Sequence, residues 1–214
     1  MKLYTFFRSS ASYRTRIALN LKGLRFESVP VHLRRGGGEQ RRPEYLGVNP
    51  QGLVPALEHD GKVLVQSLAI LEWLEENYPQ PALLPADPFA RAQVRSLALL
   101  IACDIHPLNN VRVLAYLQKV LSQSEEAVSA WYRHWVAEGF FALEAQARAS
   151  SITRKYLCGD HVSMADVCLV PQIYNARRFG CDLDPYPTLM AVNAHLDSLP
   201  EFVAARPEQQ PDAE

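Results

Sequence analysis

The sequence predicts an α/β domain followed by an all-helical (all-α) one, and three observations carry that reading. Strand-like and helix-like patterns alternate over residues 1–80, in the order β-α-β-α-β-β-α of a small layered fold with a mixed four-stranded sheet. Pro79, Pro81, Pro85 and Pro88 then stiffen a boundary, with residues 81–87 as the linker. Beyond it, residues 88–214 are helical in pattern throughout.

Each element has its own signal. Lys2-Leu3-Tyr4-Thr5-Phe6-Phe7 alternates and is rich in strand formers. Tyr13, Ile17, Ala18 and Leu21 fall on one helical face, and Gly23 follows as a helix stop. Phe26 to Val31 reads as a second strand, Arg34 to Glu39 with its three glycines as a loop, and Pro43 to Gly47 as a short helix. Leu53 to Glu58 and Lys62 to Val65 flank His59-Asp60-Gly61, a hairpin signature. Ser67 opens a helix with Ile70, Leu71 and Leu74 inward. In the second half, Phe89 to Leu121 is long and mostly apolar, with a break expected at His106-Pro107. Glu125 to Ala149 carries Trp131, Trp135, Phe140 and Leu143 at helical spacing. Ser163-Met164-Ala165-Asp166 is a capping box, with Val162 and Val167 as its staple. Shorter helices follow Pro187 and Pro200, and the polar tail from Pro207 is expected to be mobile.

Composition narrows the function classes. Hydrophobic content of 48% with 21% charged residues is ordinary for a soluble globular chain. A net charge of -1 gives no reason to expect nucleic acid or a membrane as partner. No apolar stretch reads as long enough to span a bilayer, and no basic-then-apolar leader precedes the first strand, so a cytoplasmic location is expected. Cys103, Cys158, Cys168 and Cys181 show neither C-x-x-C spacing nor a histidine pattern for zinc. Their apolar neighbours predict buried free thiols of a reducing compartment, and no metal site. Arg8, Arg14, Arg16, Arg34, Arg35, Arg41 and Arg42 form a local excess suited to a small acidic ligand, some of them simply solvated.

Three constellations carry possible chemistry. The run Arg8-Ser9-Ser10-Ala11-Ser12-Tyr13-Arg14 lies where a helix presents unpaired N–H groups and a partial positive charge. Hydroxyls there suit a bound anion or thiolate, and equally suit a serine N-cap with spare serines around it. Val54-Pro55 is either a plain edge-strand proline or a cis bond that turns the Val54 N–H and C=O toward an extended peptide. Gln66-Ser67 precedes a helix: Ser67 reads as an N-cap, and the same N-terminus can hold a carboxylate. Together they outline a docking path for a short anionic peptide bearing a thiol.

At these residues the chain resembles the cytosolic glutathione transferases, specifically the zeta class. The Val-Pro dipeptide, the Gln-Ser pair and the capping box in a helical half belong to the superfamily at large. Ser9-Ser10-Ala11-Ser12-Tyr13-Arg14-Thr15-Arg16-Ile17-Ala18-Leu19 is more specific and is similar to the S-S-C-S-W-R-V-R-I-A-L signature of maleylacetoacetate isomerases. Further matches are Asn49 to Pro55, Asp104 to Asn110, and Gln209-Gln210-Pro211-Asp212.

The resemblance implies a thioredoxin-like glutathione-binding domain, a helical substrate-binding domain, a homodimer, and glutathione acting as cofactor. By it, Ser10 and Ser9 donate to the glutathione sulfur, with Ser10 the principal donor and Ser12 the helix cap. Gln40, Val54 and Pro55 match glutathione contacts, Gln66 and Ser67 take its γ-glutamyl end, and Asn110 contributes from the helical half. His106 reads as a kink histidine satisfied by a carbonyl or as a site residue beside Pro107. Arg8 and Arg178 are the cations for a diketo acid substrate, with Arg8 also offsetting charge in the reaction; Arg177 and Arg112 are solvated. Ala11 stands where the signature has cysteine, so no thiol acts from there. The implied reaction is glutathione-dependent cis–trans isomerisation of maleylacetoacetate to fumarylacetoacetate, in tyrosine breakdown. The alternatives are maleylpyruvate as substrate, general transferase or peroxidase activity, and a non-catalytic binding scaffold.

Overall fold

A period-two strand has to bury one face, and the first strand buries Leu3 and Thr5 on one face and half-buries Tyr4 on the other. In the computed structural model, which describes residues 1–150 and 153–214, β1 (Lys2–Thr5) lies inside the sheet. Its neighbours are β2 (Glu27–Pro30), parallel, and β3 (Ala56–His59), antiparallel; β4 (Lys62–Val65) completes the order β2-β1-β3-β4. Leu3 pairs with Ser28 on one side and Leu57 on the other. Pro30 is tolerated because β2 is an edge strand. Asp60 and Gly61, at φ 49° and 72°, supply the two positive angles that a two-residue β3–β4 hairpin turn requires.

Leu3 and Thr5 are fully buried on one face of β1, while Tyr4 packs against the cluster of Phe6, Phe7, Val31, Tyr45 and Val54. Helix α1 (Ser10–Leu21) is buried nearly all round, α2 (Pro43–Leu46) is one turn, and α3 (Ser67–Asn77) packs against α1. The Lys22 ammonium, excluded from water, donates to Glu75 and to the Pro81 carbonyl at 2.6 Å each, tying the end of α1 to α3.

Two compact units result: Met1–Ala82 with Ser198–Glu214, and Leu83–Asp197. The second holds α4 (Pro88–Leu99), a π-helical turn (Leu100–Ile105), a 3₁₀ turn (Pro107–Asn109), α5 (Val111–Lys119), α6 (Glu125–Ala149), α7 (Met164–Arg178) and α8 (Pro187–Leu196). The break expected at His106-Pro107 is present and begins earlier, as the π turn. Gly139 permits it: a Cβ there would overlap the Ile105 side chain. By length and composition the run Pro88–Lys119 would pass as a membrane span, which the sequence reading did not foresee. Its helix is interrupted at the π turn and Pro107, and α4 packs against α7.

Helix α9 (Pro200–Ala205) and the tail depart from expectation. Both belong with the first unit, because α9 lies along α1: Arg16 Nε donates to the Ala205 carbonyl (3.1 Å) and Asn20 to that of Glu201 (3.0 Å). Nor is the tail free. Gln210 donates to the Ala204 and Arg206 carbonyls, Asp212 accepts from the Phe7 N–H, and Glu214 pairs with Arg35. The cysteines are all free, but only Cys168 is buried; Cys103 is exposed and the others half-buried.

The capping box forms as read. Asp166, fully buried, accepts from Leu157 N, Ser163 N and Ser163 Oγ at 2.8, 2.8 and 2.6 Å. Burial pushes its carboxyl up to about 6 against these hydrogen bonds. The folded protein therefore holds the Asp166 proton more tightly than the unfolded chain does. This group's contribution is greatest below pH ~4, falls as pH rises from about 4 to 6, and is flat above. Denaturant unfolding between pH 4 and 7 is expected to show that slope in the wild type and lose it in Asp166→Asn. The variant is also expected to be about 2–4 kcal/mol less stable at pH 7, because an amide would set N–H against N–H.

Candidate functional site

The residues leaving β1 make a tight turn, with the Ser9 N–H donating to the Phe6 carbonyl at 3.0 Å. Side chains hold three more of its contacts: to the Phe6 carbonyl, the Phe7 carbonyl and the Phe7 N–H. Arg16, buried in α1, donates to Thr5 Oγ1 (3.0 Å), to the Phe7 carbonyl (2.9 Å) and, longer, to the Phe6 carbonyl (3.5 Å). From the tail, Asp212 Oδ2 accepts from the Phe7 N–H at 3.0 Å. Burial pulls the Arg16 guanidinium down to about 10, opposed by the Asp212 charge, so Arg16 remains a cation at neutral pH.

This turn aims the serines. Ser9 is the N-cap of α1, its Oγ accepting from the Ser12 N–H at 3.2 Å, and Ser10 is the first helical residue, 3% exposed. Ser12 is therefore not the cap: a cap must precede the helix, and Ser12 lies one turn inside, its buried Oγ without a hydrogen-bond partner. The Arg8 guanidinium lies over the Phe7 ring, 4.7 Å from its centre.

The other first-unit residues occupy loops around the sheet. Gln40 is buried; its Nε2 donates to the Leu33 carbonyl, and its Oε1 has no partner. Gly38, at φ 103°, lets it sit there, since a Cβ would come within 2.7 Å of the Gln40 amide. The Val54–Pro55 bond is cis. Among the described residues, nothing pairs with the Val54 main-chain N–H or C=O, whereas the Leu53 carbonyl accepts from Tyr45 and Asn49.

Gln66, not Ser67, is the N-cap of α3, and Ser67 is its first residue. Gln66 takes φ 70°, a conformation that costs a non-glycine residue about 1–3 kcal/mol and gathers at ligand sites. Its amide donates to Gln51 Oε1 at 2.8 Å. Behind Ser67 stands a residue that the sequence reading grouped with the arginine excess suited to an acidic ligand, without singling it out. Arg14 is 1% exposed, its NH1 reaches Ser67 Oγ at 3.4 Å, and its Nε and NH2 have no partner. A buried guanidinium with unanswered donors favours an anion at its neighbour. Arg14 and Arg16 stood in the arginine excess and in the signature segment, but no signal marked them as buried, because periodicity cannot show that a helix is buried on its polar side as well.

Three expected residues lie in the second unit. His106 follows the π turn, its N–H donating to the Ile101 carbonyl. Asn110 is the N-cap of α5, its Oδ1 accepting from the Arg112 N–H. Arg178 ends α7 exposed, with NH1 on Asn175 Oδ1 (2.8 Å) and its guanidinium over Phe179, which stacks on Tyr132. Arg112 is exposed as expected, and Arg177 is exposed with a 3.5 Å ion pair to Asp197.

Comparison with known proteins agrees with this architecture. Residues 3–82 match the glutathione S-transferase N-terminal domain and residues 112–200 the C-terminal domain of that family. A probable maleylacetoacetate isomerase of Vibrio cholerae is 51% identical over 99% of this chain and 97% of its own length. The chain belongs to the glutathione S-transferase family. Its zeta-class character follows from the similarity to a holo maleylpyruvate isomerase of that class, at 49% identity and a TM-score of 0.97 over the whole of both chains. The maleylpyruvate isomerase of a Ralstonia species is 50% identical over the full length of both. A maleylacetoacetate isomerase of Methylobacterium extorquens, solved with malonate and glutathione bound, is 40% identical with a TM-score of 0.96 over both chains in full.

For this glutathione S-transferase, the cap geometry separates the serines. Ser9→Ala is expected to lower stability by about 1 kcal/mol through the lost cap, while Ser12→Ala stays within about 0.5 kcal/mol because its hydroxyl answers nothing. Thermal unfolding of the two variants side by side checks this.

Proposed function

We propose that this protein is a glutathione-dependent cis–trans isomerase of maleyl-type diketo acids, with maleylacetoacetate as its substrate and fumarylacetoacetate as its product. The observation that carries the reading is the placement of Ser9 and Ser10 at the mouth of α1, in a chain that matches isomerases of this kind from end to end. The residues present suit glutathione. Gln40 Oε1 and the Arg14 guanidinium are buried polar groups without full partners, and the Val54 main chain is unpaired among the described residues. In this reading Val54 and Pro55 pair with the peptide backbone, Gln66 and Ser67 hold the γ-glutamyl carboxylate with Arg14 behind them, and Gln40 contributes a further polar contact.

Bound glutathione supplies a thiolate that adds reversibly to the conjugated double bond, so that the bond can rotate before the thiolate leaves. The protein's task is to keep that sulfur ionised. A free thiol near pKa 8.5 is mostly protonated at pH 7, and each unit of depression represents about 1.4 kcal/mol. The Ser10 hydroxyl, with Ser9 beside it, and the partial positive charge of the α1 N-terminus act in that direction. Arg8 meets negative charge as it develops on the substrate ketone oxygen. Arg178, with His106 and Asn110, enters on the resemblance alone, Arg178 as the cation for a substrate carboxylate. A cytoplasmic homodimer completes the proposal, likewise from the family likeness.

Maleylpyruvate, a shorter substrate of the same chemistry, is the second reading, favoured by the Ralstonia relative at 50% identity. Turnover of both substrates with and without glutathione separates the two. Ser10→Ala is expected to lose about 100-fold or more of the glutathione-dependent rate; a wild-type rate in that variant would remove Ser10 from the mechanism. Arg14→Met is expected to raise the KM for glutathione about tenfold with little change in kcat, since Arg14 acts behind the binding residue Ser67.

A further inference from the structure

The turn that carries Arg8, Ser9 and Ser10 is held from two directions, and one of them is the end of the chain. Arg16 grips its carbonyls from within α1, and Asp212 grips its Phe7 N–H from the tail. The tail is itself secured on both sides of Asp212. Gln210 Nε2 donates to the Arg206 carbonyl (2.8 Å) and the Ala204 carbonyl (3.0 Å). Glu214 pairs with Arg35 at 2.5 Å and faces His32 Nε2 at 3.2 Å. His32 cannot turn away, because its Nδ1 accepts from the Arg34 and Arg35 N–H groups at 3.2 and 2.7 Å. A segment read from sequence as mobile is thus a strap laid over the start of the thiolate loop.

We propose that Asp212 is a positioning residue for the isomerisation: by accepting from the Phe7 N–H it fixes the turn that sets the Ser9 and Ser10 hydroxyls at the helix mouth. The inference rests on the functional reading above. Without the carboxylate, the Phe7–Arg8–Ser9 segment keeps its Arg16 contacts on the carbonyl side and loses its only side-chain contact on the N–H side. The turn can then pivot about the Phe6 and Phe7 carbonyls. A displacement of about 1 Å at a reacting group costs on the order of 100-fold in rate. The effect falls on kcat more than on glutathione affinity, because Gln40, Val54, Gln66 and Ser67 lie on other loops.

Three full-length variants test it: Asp212→Ala; Asp212→Ser, a short polar side chain in case alanine leaves the position too empty to fold; and Asp212→Asn. Only asparagine still carries an acceptor at the reach of the Asp212 carboxylate; the serine oxygen is one bond shorter. The readouts are kcat and KM for glutathione, and the ultraviolet thiolate band of the glutathione-bound enzyme titrated against pH. Alanine and serine are expected to lose about tenfold or more in kcat with less than threefold change in KM, and to show a weaker thiolate band at neutral pH. Asparagine is expected to stay within about threefold of wild type. Wild-type kcat and thiolate band in a folded Ala or Ser variant would overturn the proposal. So would equal damage in Asp212→Asn, which would assign the effect to the lost charge beside Arg16. A wild-type enzyme with no thiolate band fails the functional reading itself, which the wild-type control reveals separately.

Discussion

A guanidinium shut away from water must find acceptors for its donors, and Arg16 finds them on four residues: Thr5, Phe6, Phe7 and Ala205. These lie on the end of β1, on the turn that follows it and on the last turn of α9. One buried cation on α1 thereby fixes the end of β1 and its turn to α9, which lies near the far end of the chain. Desolvating such a charge costs several kcal/mol, and removing its partners costs more, so the arrangement is held as a unit. Asp212 supplies the nearby negative charge and accepts from the Phe7 N–H, which a guanidinium, having only donors, cannot do.

The chemistry of the site inherits this constraint. The N-terminus of α1 provides a partial positive charge wherever the helix starts, but a hydroxyl acts on a sulfur only from a fixed place. Ser9 accepts the capping bond, and Ser10 follows it as the first helical residue, the position proposed to act on the sulfur. A second buried cation, Arg14, is arranged differently: one nitrogen on Ser67 and two on nothing. Arg16 is satisfied within the protein and organises it; Arg14 keeps unused donors at the residue proposed to hold a carboxylate. Two arginines two positions apart on one helix thus differ: one is taken up by the fold, and the other keeps donors in reserve.

Much of this was legible in the chain. Strand alternation, the Asp-Gly hairpin, the proline boundary, the break at Pro107 and the Ser163 capping box each follow from local stereochemistry, and each is present. The bond before Pro55, which local sequence left open between a cis bond and a plain edge-strand proline, is cis. Capping was read late at both helix mouths, by three residues at the first and one at the second: the caps are Ser9 and Gln66, not Ser12 and Ser67. Gln66 could not be anticipated, because a glutamine at positive φ violates local preference and persists only where the surroundings impose it. The tail misled for a similar reason. Pro207 to Glu214 is polar and has no periodicity, and its order comes from partners at Phe7, His32 and Arg35 more than 170 positions away in sequence.

By itself, then, the sequence determined the elements, their order, the division between an α/β half and a helical one, and the hydroxyl-bearing helix start with the family it resembles. These depend on interactions within a few residues, where propensity and periodicity act directly. The tertiary structure alone decided which arginines are buried, which serine caps and which is presented, and that the last residues return to the first strand's end. Such decisions follow from desolvation and long-range hydrogen bonding, whose partners no local pattern can reveal.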